Sequence, residues 1–129
     1  MTRTITTLRP AETVAFDHET LAELCETYGE EAEVFIATVL GEIEAHLTKA
    51  DDEVKLGEHD GLARTCRNLV ILAKSIGMRT LDTCANSVLA CLASDDQSAL
   101  SACTARLTRL GHPESFRAWT VGSPSGSVA

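Results

Sequence analysis

The chain has 129 residues, 44% of them hydrophobic and 23% charged, a length and balance that suit one soluble globular domain with a substantial core. With a net charge of -8, a pI of about 4.9 and basic residues that are few and scattered along the sequence, nucleic acid is not expected as a partner and an anionic membrane surface is disfavoured. No apolar run nears the roughly 20 residues of a bilayer span, and the opening MTRTITTLRPAETVAFD lacks the apolar core of a signal peptide, so a cytoplasmic location is expected.

Aromatic residues make up only 4%, so the core must be built from Leu, Ile, Val and Ala, which favours packed helices. The prolines, Pro10, Pro113 and Pro124, leave residues 11–112 free of helix breakers. A first short helix is expected from Asp17 to Tyr28, with Asp17 capping its free N–H groups and Leu21, Leu24, Cys25 and Tyr28 as its apolar stripe. A second begins near Glu30, where Glu30 and Glu31 sit at the positive end of the helix dipole. Ile36, Val39, Leu40, Ile43, Leu47, Ala50 and Val54 keep a helical period over about 25 residues.

A third helix runs from Glu58 to Ile76 with a core stripe at Leu62, Cys66, Leu69, Ala73 and Ile76, and it stops at the C-cap glycine Gly77. A fourth spans Arg79 to Ala93 on Leu81, Cys84, Ala85, Val88, Cys91 and Leu92. The fifth opens on Ser94-Asp95-Asp96-Gln97, read as a capping box in which Ser94 caps forward and Gln97 reaches back. Leu100, Cys103, Leu107 and Leu110 face inward, and Gly111 and Pro113 end the helix. Long amphipathic helices joined by short turns predict an all-α, antiparallel up-down four-helix bundle, with the short first helix across one end. Residues 1–15 read as an extended or mobile N-terminal segment, 16–112 as the bundle, and 113–129 as a partly disordered tail rich in Gly, Ser and Pro.

The five cysteines, Cys25, Cys66, Cys84, Cys91 and Cys103, include no CxxC pair, and their odd number argues against a disulfide framework. At helical spacing among apolar neighbours they read as small hydrophobes. His18 and Cys25 lie two turns apart, but nothing else converges on them to complete a metal site. Glu42-Ile43-Glu44-Ala45-His46 does not supply the repeated Glu-x-x-His motif of a di-metal bundle. No metal, no cofactor and no enzymatic activity are therefore expected.

Three stretches carry a family resemblance. FDHETLAELCETYGEEAEVFIATVLGEIEAHL has Phe-Asp, a short helix, a glycine, then a long helix ending in charges. GEHDGLARTC leads into a central helix. SIGMRTLDTCANSVLACLASDDQSAL has a Gly-plus-small-residue turn, a helix, and an acidic turn into the next. Together, over roughly residues 16–112, they resemble a histidine-containing phosphotransfer (HPt) domain. That family's central helix reads approximately A-H-x-L-K-G-x-A-x-x-x-G-A, and anchoring it on Gly77 matches Leu69, Ala73 and Gly77. The three functional positions depart from it. Arg67 stands where the family has its phosphorylated histidine, Val70 replaces the lysine near the phosphoryl group, and Ile71 replaces the glycine that gives the phosphate and the partner room.

The departure decides the chemistry. A phosphotransfer histidine attacks with a neutral imidazole nitrogen and passes the phosphoryl group to an aspartate. A guanidinium stays protonated and has no lone pair to offer, so Arg67 is no carrier and no phosphorylation site is expected. His18, His46, His59 and His112 lack the Leu-Lys-Gly context and read as solvated or locally hydrogen-bonded.

The resemblance then implies a pseudo-HPt protein that binds a response-regulator receiver domain or a histidine kinase and modulates signalling without carrying phosphate. Arg67, Val70, Ile71 and Lys74, at i, i+3, i+4 and i+7, share one helix face. This partner-binding set is an aliphatic pair between two cations, and an apolar patch with a charged rim marks an interface. Receiver domains present an acidic phosphorylation pocket with a bound divalent cation, to which Arg67 or Lys74 would offer positive charge. Plant pseudo-HPt proteins, which lack the histidine, act as inhibitors of this kind. The alternatives are a helical adaptor or anti-sigma-like interaction protein, and a bundle whose Val70 and Ile71 are covered by a homodimer or by the tail around Phe116 and Trp119.

Overall fold

The computed structural model describes residues 16–110, and its elements are all helical. They are α1 (His18–Tyr28), a 3-10 turn (Gly29–Glu31), α2 (Ala32–Leu56), α3 (His59–Ser75), α4 (Arg79–Ser94) and α5 (Gln97–Leu110). No helix among the described residues is long and apolar enough to cross a membrane. The expected helix end at Gly111 and Pro113, His112, the cover from Phe116 and Trp119, and the two terminal segments lie outside the described residues.

Local chemistry sets the boundaries. The Asp17 carboxylate caps α1, accepting the Glu19 N–H at 3.1 Å and the Thr20 hydroxyl at 3.0 Å. Between α3 and α4 the chain reverses at Gly77, whose φ is +72°. There the Gly77 N–H bonds the Lys74 carbonyl at 3.3 Å and the Met78 N–H bonds the Ala73 carbonyl at 2.9 Å, the paired bonds of a Schellman motif. Gly57 closes α2 in the same way, with the Glu58 N–H on the Glu53 carbonyl at 2.9 Å.

The α4–α5 turn differs from the expected capping box. Helix α4 continues to Ser94, and Asp95 takes the left-handed position that ends it, at φ 60°. The Ser94 hydroxyl turns back to the Cys91 carbonyl at 3.2 Å, so the forward cap falls to Asp96, whose carboxylate accepts the Ala99 N–H at 3.1 Å. Ser94 still belongs to the preceding helix and has spent its hydroxyl there, which is why the box shifts by two residues.

The core is one cluster drawn from α2, α3, α4 and α5 together with Ile76 and Met78 of the α3–α4 turn. Helix α3 packs against α2 and α4, α4 against α5, and α2 against α5. All five stripe residues expected from the third helix are buried, as are Leu81, Cys84, Ala85, Val88 and Cys91 of α4. Each large side chain fully out of water, such as Ile43, Leu62, Leu69 or Leu81, contributes about 1.5–3 kcal/mol. Helix α1 does not follow its expected stripe: Leu21 and Leu24 are half-buried, but Cys25 and Tyr28 are exposed. Tyr28 instead stacks on Phe35 with ring centroids 4.8 Å apart.

Two contacts tie the start of the described chain to the α3–α4 turn. Phe16 pairs with Met78 as an isolated bridge, and the Asp17 N–H donates to the Gly77 carbonyl at 2.7 Å. A Cβ on Gly77 would meet Thr20 Cβ at 3.0 Å and the Asp17 carbonyl oxygen at 3.1 Å. Gly77 thus serves both its backbone angle and this close approach.

Candidate partner-binding face on the central helix

Helix α3 carries every residue of the expected partner-binding set, and the structure separates them. Its inner face is packed: Leu62, Cys66, Leu69 and Ala73 are each 1% exposed or less. With about 100° of turn per residue, Arg64, Arg67, Asn68, Ile71 and Lys74 fall on the opposite side, and all five are exposed.

Ile71 is the apolar centre of this stripe, 66% exposed. Val70 is not its equal partner, because it is half-buried and packs against the core cluster. It lies four residues after Cys66 and three before Ala73, both fully buried, so it shares their rim. The expected aliphatic pair is therefore one projecting side chain beside a half-covered one.

The cations also differ. The Lys74 ammonium meets the Asp82 carboxylate of α4 at 3.1 Å, and the second Asp82 oxygen accepts the Asn86 amide at 2.7 Å. Lys74 thus presents a partly neutralised charge, although an ion pair this exposed adds little stability. Arg67 has no hydrogen-bond or ion-pair partner among the described residues. Arg64, one turn earlier, was not singled out by the family alignment; its i−3 spacing from Arg67 was the available signal. The stripe is a local positive surface on a chain of net charge -8.

Beneath the face, the sequence pattern did not reveal a buried carboxylate. Glu53 of α2 is 6% exposed and accepts the Thr65 hydroxyl of α3 at 2.7 Å. Its second oxygen lies 3.9 Å from the Lys49 ammonium. Gly61 leaves room for it, since a Cβ there would stand 2.7 Å from Glu53 Oε2. Burial first, and then the Glu53 charge, push the neighbouring Cys66 thiol up to about 12. The thiol adjacent to Arg67 in sequence is thus held protonated in the core.

The described histidines are not among the residues of this stripe. His18 is exposed at the first turn of α1 and His59 at the first turn of α3. His46 is half-buried, and its Nδ1–H donates to the Glu42 carbonyl at 2.8 Å. Among the described residues, no three His, Cys, Asp or Glu side chains are grouped to hold a metal ion.

No family model, curated protein or solved structure matches this chain. What the face can do follows from its own groups. They offer two guanidiniums, an ammonium, a carboxamide and one branched aliphatic chain, which together supply positive charge, hydrogen-bond donors and apolar area. That combination suits recognition of an acidic surface with a small apolar contact at its centre.

Proposed function

We propose that this chain is a cytoplasmic pseudo-phosphotransfer protein of HPt type, an antiparallel up-down bundle that docks a receiver domain or a histidine kinase on α3 and carries no phosphate. The observation that supports it most is the placement of Arg67. It is solvent-exposed on α3, while the three residues that match the family's scaffold, Leu69, Ala73 and Gly77, are buried. Core burial of the residues that match the family's scaffold, with a guanidinium on the surface at the position of its reactive histidine, supports this reading. Ile71, standing where the family has glycine, projects from the middle of the same stripe, and Arg64 and Arg67 give it a positive rim suited to an acidic receiver pocket.

The test is to incubate the protein with a phosphorylated receiver domain and follow acid-labile phosphate. No transfer is expected, while binding persists; clear phosphorylation overturns the reading. Ile71→Asp is expected to weaken binding by about 1–2 kcal/mol, roughly 5–30-fold. Unchanged binding there, together with a dimeric mass in solution, would favour the self-associating bundle instead. Arg67→His alone is not expected to restore transfer, because Val70 and Ile71 still occupy the positions of the family's lysine and glycine.

A further inference from the structure

Cys91 and Cys103 differ from the other three cysteines. They sit on successive helices, α4 and α5, across the Asp95–Asp96 turn, and their sulfur atoms are 3.4 Å apart. Cys91 is buried and Cys103 is half-exposed, so one thiol faces the core and the other is within reach of a small solute. The main chain at Cys91 is held in place, because its carbonyl accepts the Ser94 hydroxyl at 3.2 Å and the Asp95 and Asp96 N–H groups. The gap exceeds a disulfide bond of about 2.0 Å by only ~1.4 Å. Reaction begins at Cys103 because it is the solvent-accessible sulfur of the pair; the hydrogen bond shared with Cys103, and then burial, raise the Cys91 thiol.

We propose that Cys91 and Cys103 form an oxidative modification site, at which a hydroperoxide drives a reversible disulfide that fastens α4 to α5. The Cys103 thiolate attacks a peroxide oxygen, the O–O bond breaks, and the leaving hydroxide takes up a proton as water. Cys103 is left as a sulfenic acid. Cys91 then gives its proton to solvent and attacks the Cys103 sulfur. The S–O bond breaks, and the second hydroxide leaves as water. Two thiols lose two electrons and two protons, and one hydrogen peroxide becomes two waters. Exposed Cys25 has no second sulfur within hydrogen-bonding reach among the described residues, so it lacks this resolving step.

The experiment treats the full chain with hydrogen peroxide, then blocks the remaining thiols with maleimide under denaturing conditions. Trypsin releases residues 80–106, which hold Cys84, Cys91 and Cys103 without an internal Lys or Arg. A second cleavage before Asp95 and Asp96 separates Cys91 from Cys103 unless a disulfide joins them. The expected result is a Cys91–Cys103 link, maleimide on Cys84, and full recovery of both thiols with dithiothreitol. In Cys91→Ala, checked for fold by circular dichroism, Cys103 lacks its partner. It is then expected to accumulate at least about tenfold more sulfinic acid, which dithiothreitol does not reverse. The proposal is overturned if the pair in the unmodified chain stays reduced while Cys25 is oxidised. Equal sulfinic acid at Cys103 with and without Cys91 would overturn it as well.

Discussion

Replacing Gly77 with alanine should cost more than the same change at Gly57, and the difference measures how firmly Phe16 and Asp17 are pinned to the α3–α4 turn. Both glycines are left-handed, with φ of +72° and +70°, and a Cβ in that conformation costs about 1–2 kcal/mol. At Gly57 nothing lies within 4 Å of an added Cβ, so the conformational cost is the whole effect. At Gly77 the Cβ would meet Thr20 Cβ at 3.0 Å, the Asp17 carbonyl oxygen at 3.1 Å and Asp17 Cβ at 3.2 Å. Two of these contacts belong to Asp17, whose N–H holds the Gly77 carbonyl at 2.7 Å. Either the crowding stays, at about 1–3 kcal/mol, or the segment lifts and that hydrogen bond is lost, at about 0.5–1.5 kcal/mol. By the less costly route Gly77→Ala is therefore expected to destabilise by about 1.5–3.5 kcal/mol and Gly57→Ala by about 1–2 kcal/mol. Urea unfolding followed by circular dichroism reads both, and hydrogen exchange at the Asp17 amide should quicken only in Gly77→Ala. Equal losses in the two variants, with Asp17 exchange unchanged, would refute the close approach.

Four further outcomes follow from the same contacts. Asp96→Ala should lose about 1 kcal/mol of stability through its cap on α5, whereas Ser94→Ala should lose less than ~0.5 kcal/mol; the reverse order in urea melts would restore the Ser94 capping box. Thr65→Val leaves the buried Glu53 oxygen without its donor and should cost about 1–3 kcal/mol, and a neutral result would mean that water already serves Glu53. Native alkylation near neutral pH should label exposed Cys25 and spare Cys66, whose thiol is buried and raised to about 12 until the chain is unfolded; peptide mapping distinguishes them. The Asp17 carboxyl is lowered from its ordinary 3.8, chiefly by the Thr20 hydroxyl, against an opposing effect of burial. Its contribution is therefore present above the unfolded value and is lost as pH falls through the lower folded one. Stability curves should show Asp17→Asn losing less than the unaltered chain as the pH falls through 3.8 and below.

The helices and most of the core were legible because their determinants are local. A stripe at helical period identifies its own inner face, and Asp17, Gly57 and Gly77 act within a turn of where they stand. The candidate face was legible to the same extent: Arg67, Ile71 and Lys74 share one side of α3 by spacing alone. Partnership was not legible. Cys25 and Tyr28 keep the helical pattern but stay exposed among the described residues, since a stripe is buried only where another element packs over it. Val70 sits at the rim because α3 packs against both α2 and α4, which widens the covered arc.

The sequence by itself determined that the described part of the chain is helical and, apart from the end of α5, where its helices begin and end to within a residue or two, because these depend on neighbouring residues. The tertiary structure alone decided that Lys74 is bound to Asp82, that Glu53 is buried against Thr65, that Ile71 rather than Val70 projects, and that Cys91 meets Cys103. Each of those depends on which faces of different helices come together, and the pattern along one helix does not encode its neighbour's register.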